Sequence, residues 1–167
     1  PIIGGLTAAG KTAVGFDQSL RAIQTIGKQS EEELAALGRT FLSMSTDITQ
    51  TRDSATGLAD AFYFIQGSGF AGADAMTVLQ TATKAASAGL TDTASATQAI
   101  IFALNAYGLS ADRASYVSDI MFRTMDRGVI TFEDLAAQFG DVTATGAIAG
   151  VSLEELGAAV ATMTKGG

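Results

Sequence analysis

GLTDTASATQAIIFALNAYGLS, residues 89–110, opens and closes on the same signal: a Gly, then Leu, then a hydroxyl residue. The signal has a mechanism. A helix commonly ends on a residue in the left-handed conformation, a role suited to Gly, and the apolar residue after it packs back on the helix just finished. The Ser or Thr that follows can cap the next helix. Between the two signals lie Ala99-Ile-Ile-Phe-Ala-Leu104, with no Pro and no alternation of apolar and polar residues. The stretch therefore predicts one helix over residues 92–107, bounded by a stop at each end.

The same punctuation recurs on both sides. Gly69-Phe70, Gly89-Leu90, Gly108-Leu109, Gly128-Val129 and Gly150-Val151 follow one another at nearly even intervals, and Thr91, Ser110, Thr131 and Ser152 come soon after four of them. Helices are expected near residues 72–88, 92–107, 110–127, 131–139, 142–148 and 152–164. Ala114, Val117, Met121 and Met125 share one helical face, as do Leu153, Leu156, Val160 and Met163. Ser152 with Glu155, and Ser30 with Glu33, have the spacing of capping boxes. Asp119 and Arg123 are spaced for an outward i,i+4 ion pair.

The first half is organised differently. Alternate steps of four and three from Phe16 to Ile65 land almost throughout on apolar residues, with only Gly27, Ser30 and Thr51 as exceptions. That is the pattern of a coiled-coil seam. It predicts a heptad-patterned segment over residues 16–66, with Leu34, Leu37, Phe41, Met44, Ile48, Leu58, Phe62 and Ile65 as an oligomer or core seam. Two forms remain open: one continuous helix over 16–65, or two or three separate amphipathic helices packed on a core, since Gly27, the Ser30 box and Gly57 interrupt the pattern. Residues 1–15 are expected to be a flexible lead-in and 67–167 a compact helical domain. The expected fold is thus all-α: a long heptad-patterned N-terminal helix or helices, then short antiparallel helices turned at Gly89, Gly108, Gly128 and Gly150.

Composition narrows the function. The 167 residues carry a net charge of −7 with no basic cluster, which argues against nucleic-acid binding. Without Cys or His, thiol chemistry and the commonest general base and metal ligand are removed. The longest conspicuous apolar run, residues 99–104, is far short of the roughly 20 residues that span a bilayer. The chain opens without Met and stops at Lys165-Gly166-Gly167, directly after a helical pattern, and reads as a piece of something larger.

One stretch challenges the non-catalytic reading. GLTAAGKT, residues 5–12, fits the phosphate-cradling pattern G-x-x-x-x-G-K-[ST]. That pattern works between a buried strand and a helix, and only four residues precede it; no strand is predicted behind it. The acidic groups Glu31–Glu33, Glu133-Asp134 and Glu154-Glu155 all fall in the first turn of an expected helix, where the helix dipole and capping favour acids. Phe62, Tyr63, Phe64 and the methionines are expected in the core or at an interface. No catalytic residue, cofactor or metal ligand is assigned.

From about Leu34 onward the chain resembles the core region of phage tail tape measure proteins. The resemblance rests on the order of parts: Ala85-Ala-Ser-Ala-Gly-Leu90, Leu104-Asn-Ala-Tyr-Gly-Leu109, Asp119 within its helix, Gly128-Val-Ile-Thr-Phe-Glu-Asp-Leu135, Ala149-Gly-Val-Ser-Leu-Glu-Glu-Leu156 and residues 161–167. It implies a structural protein of a phage or phage-like particle that lies in the tail tube, sets tail length during assembly and leaves ahead of the DNA. The implied partners are other copies of itself, as trimer or hexamer, tail tube and distal tail or baseplate hub proteins, and the host membrane on ejection. The alternative is a helical adaptor or membrane-active toxin module with no catalysis.

Overall fold

The computed structural model describes residues 3–47 and 53–166, with residues 3–13 described by backbone alone. Every regular element among them is helical. The order is α1 (Ile3–Gly27), α2 (Glu31–Thr46), α3 (Ala55–Gly67), α4 (Gly72–Gly89), α5 (Thr93–Ala106), a 3-10 turn at Ala111–Arg113, α6 (Ala114–Arg127), α7 (Phe132–Ile148) and α8 (Leu153–Gly166).

Two expectations are corrected, and of the two forms left open for residues 16–65 the structure has the broken one. Residues 3–15, expected as a flexible lead-in, are the first turns of α1. Residues 16–65 are not one continuous helix: the chain breaks after Gly27, where Ser30 begins a new helix through a reciprocal capping box, and again before Ser54, whose hydroxyl accepts from the Gly57 amide. Residues 131–148 are one helix, not two, because nothing in that span stops it and Thr131 caps it once.

Alternate helices run in the same direction. Ser19 of α1 donates to Asp60 of α3, and Ile26 lies against Gly67 further along both helices. Phe64 of α3 meets Phe102 of α5 at 6.2 Å, and one turn on Asn105 donates to the Ser68 carbonyl. Phe102 of α5 covers Gly140 of α7, while Tyr107 lies at Gly146 and donates to the Val151 carbonyl. The even helices do the same at α6 and α8, through Tyr116 with Glu154, Ile120 with Gly157, and the Val129 amide with Thr164. Short turns join α1 to α2 and each helix from α3 onward to the next, which reverses direction. The result is a stack of helical hairpins in two layers, α1-α3-α5-α7 in one and the even helices in the other.

The turns that end the first layer share one geometry. Lys28 (φ 54°), Gly69 (101°), Gly108 (61°) and Gly150 (74°) are left-handed and recur at an even interval, twice that of the Gly-apolar dipeptides. After the three glycines, the amides of Phe70, Leu109 and Val151 donate to the carbonyls of Ile65, Leu104 and Gly146, closing each helix with the hydrogen bond expected of a Schellman stop. The second layer uses its glycines differently, although α4 closes with the same type of bond, from the Thr91 amide to the Ala86 carbonyl. After α4 the left-handed residue is Leu90 (φ 58°) and not Gly89, and Gly128 after α6 is extended. Gly89 and Gly128 serve packing: a Cβ on Gly89 would stand 2.5 Å from the Phe132 ring, and one on Gly128 would stand 3.2 Å from the Ala161 Cα.

One contiguous core runs between the layers from Ile23 to Val160, with Phe41, Phe62, Phe132 and Phe139 its largest buried side chains. Buried alanines recur through it from Ala59 to Ala136, so helices approach closely and the packing depends on backbone proximity more than on large side chains.

Candidate interaction surface

The residues expected to form a seam face inward. Leu34, Phe41, Met44, Leu58, Phe62 and Ile65 are buried in the core and Leu37 packs on its edge; Ile48 lies outside the described residues. Phe41 and Phe62 meet at 5.4 Å, joining α2 to α3. The stripe is therefore satisfied within the chain, and a heptad register sustained from Phe16 to Ile65 is not needed to explain it. Short amphipathic helices produce the same alternation of threes and fours.

The backbone of residues 5–12 is helical, inside α1, and no strand lies among the described residues. A glycine-rich loop whose amides surround an anion is therefore not formed there. The acidic groups at helix starts are engaged in capping. Glu33 accepts from the Ser30 amide at 2.8 Å and Glu155 from the Ser152 amide at 3.0 Å, while the Thr131 hydroxyl donates to Asp134 at 2.6 Å. The backbone hydrogen bond from Ser30 holds Glu33 below the usual carboxylate range, and the Ser152 hydroxyl does the same for Glu155. Glu154 is lowered by the Tyr116 hydroxyl, and that tyrosine is raised first by burial and then by Glu154. Arg113 lies over the Tyr116 ring at 4.1 Å, completing a small cluster that fastens α6 to α8. Asp119 and Arg123 do not close the expected pair, whereas Asp17 and Arg21 do at 2.7 Å.

Among the described residues no group of three acidic side chains could hold a metal ion, and no helix is long and apolar enough to cross a membrane. What the surface offers is packing. An open cleft of about 480 Å³ lies between α2 and α4, and a smaller one of about 180 Å³ between α7 and α8, lined by Ile130, Phe139, Val142 and Met163 among others. Leu90, Val129, Ile148 and Met163 are large apolar side chains that stand mostly in solvent. Sequence reading placed Leu90 and Val129 against the preceding helices because each follows a Gly. They differ in backbone from Leu109, which packs on the core: Leu90 is itself the left-handed residue and the Gly128 before Val129 is extended, and no local pattern carries either.

Helix stacked on helix through small residues, with open apolar clefts and capped carboxylates, makes this an all-helical protein whose surface offers packing faces. The profile of the family described as phage-related minor tail protein matches residues 38–167, and the chain belongs to that family of phage tail components. A probable tape measure protein of Clostridium phage phiCD119 is 27% identical over 158 residues, covering 92% of this chain and 16% of that protein. The tape measure protein of Pneumococcus phage Dp-1 is 25% identical over 167 residues, covering 100% of this chain and 14% of that one. The chain thus spans 14–16% of the length of these curated relatives. No solved structure matches it.

Proposed function

We propose that this chain is a folded segment of a tape measure protein, resident inside the tail tube, where the whole protein sets tail length and leaves ahead of the genome. The observation that carries the reading is the alignment of nearly the whole chain to small parts of two much longer tape measure proteins, within a family match that covers α3 to α8 completely. The fold is compatible with it, since stacked Ala- and Gly-rich hairpins leave packing surfaces along the helices. The partners that suit such a segment are other copies of itself, the tail tube, and distal tail or hub proteins, with the host membrane met on ejection.

Antibodies raised against the 167-residue segment test the location. They should leave intact tails unlabelled in electron micrographs and should bind material released when particles are triggered to eject. Labelling along the outside of intact tails would overturn the tube assignment.

A further inference from the structure

We propose that α2 is a closing strap, with the open position seen in the structure and a closed one in which it packs side by side with α4. The proposal stands on packing alone and does not rest on the tail assignment. In the even layer, α4 packs on α6 and α6 on α8, whereas α2 packs on α1 and α3 and makes no comparable contact with α4. The place where that contact belongs is the cleft of about 480 Å³. Ala36, Leu37 and Thr40 of α2 form one wall, Ala71, Gly72 and Met76 at the start of α4 the other, and the buried Phe62 contributes from α3.

The walls are mostly apolar or uncharged, and closure has to turn α2 about its buried Leu34, Phe41 and Met44 without exposing them. The one charged side chain lining the cleft, Glu33, is exposed in the first turn of α2 and held there by the Ser30 amide, so closure has to leave its carboxylate at the rim in water. Leu37 and Met76, both half-buried and on opposite walls, are the groups that gain most by meeting. Both walls also start at turns able to shift. The α1–α2 turn carries the left-handed Lys28 and a Gln29 side-chain oxygen that is buried without a partner. The α3–α4 turn carries two left-handed glycines, Gly69 and Gly72, and α4 begins at Ala71 without a side-chain cap. Closure gives the even layer the unbroken row that the odd layer already has.

The chain has no cysteine, so introduced pairs report on chosen distances alone. The variant L37C/M76C, and independently A36C/A71C with both sites exposed, should form an intramolecular disulfide under mild oxidation, because closure brings the walls within the few ångströms such a bond requires. The control L42C/M76C places its first thiol on an exposed position of α2 outside the cleft lining, and should react at least tenfold more slowly. Spin labels on the first two pairs should show two distance populations, with circular dichroism confirming unchanged helix content. No disulfide and one distance in both cleft pairs would overturn the strap. So would equal rates in the control, which would report unfolding.

Discussion

At the scale of single residues, the glycines divide by what they do, and the division can be measured. Gly108 and Gly150 have left-handed backbones with open space around a would-be Cβ, so Gly108→Val and Gly150→Val should each cost about 1–2 kcal/mol from conformation alone. Gly89 is helical and its constraint is the Phe132 ring, so Gly89→Ala should also destabilise, but through contact. A double-mutant cycle separates the two causes. Phe132→Ala should relieve part of the Gly89→Ala cost, since it removes the two nearest ring atoms, and should add independently to Gly108→Val. Additivity in both cycles would remove the packing role of Gly89. The complementary test is Leu90, left-handed and 69% exposed. Leu90→Asn should raise stability by up to about 1 kcal/mol, since Asn tolerates this conformation and little buried surface is lost. The Gly-apolar dipeptides were legible as punctuation because both layers use them; which glycine bears a positive φ was not, since that depends on what the neighbouring helix presses against it.

At the scale of elements, the capping residues made the helix starts readable. Ser30, Thr131 and Ser152 receive the expected bonds from amides three residues on, whereas α5 is capped by Asp92 in place of Thr91 and Ser110 makes no side-chain cap bond. Ser30→Ala or Ser152→Ala should cost about 1 kcal/mol in thermal or denaturant unfolding, the usual loss for an N-cap. The pH dependence has a definite sign. Glu33 and Glu155 are held below their ordinary range, so the stability they contribute is present above the unfolded value near 4.3 and fades as pH drops through the lower folded values. Replacing both with Gln should flatten the acid limb of the stability profile in that window, and an unchanged limb would dissociate the boxes from it. The heptad pattern left a seam for another chain and a core of separate helices equally open at this same scale, for a physical reason. Over helices of 13 to 25 residues a period of 3.5 and one of 3.6 diverge little, so a stripe buried against the chain's own neighbours mimics a seam meant for another chain. The residues that tell the two apart are Ser30 and Glu33, a start signal inside the supposed continuous helix.

At the scale of the whole chain, the stack decides how much length the segment would contribute if, as proposed above, it belongs to the protein that sets tail length. Read as one extended helix, 167 residues would reach roughly 250 Å at 1.5 Å each. Folded as hairpins whose helices lie about 8–10 Å apart, each repeat of about 40 residues adds only roughly 10 Å along the stack. The doubled glycine interval held this repeat in the sequence, but the parallel alignment of alternate helices could not be read there, because it is set by contacts such as Ser19 with Asp60, far apart along the chain. Deleting residues 70–108 removes one repeat between left-handed turns and joins Gly69 to Leu109, keeping an apolar residue after the glycine. Particles carrying the deletion should have tails shorter by about 10 Å if the stack persists in the tube. If the segment is instead drawn out into continuous helix, the same deletion should shorten them by roughly 60 Å. Tail lengths averaged over many electron micrographs resolve a difference of that size. The larger shortening would mean that the hairpins open during assembly, so that the stacked fold precedes the tail and does not persist inside it.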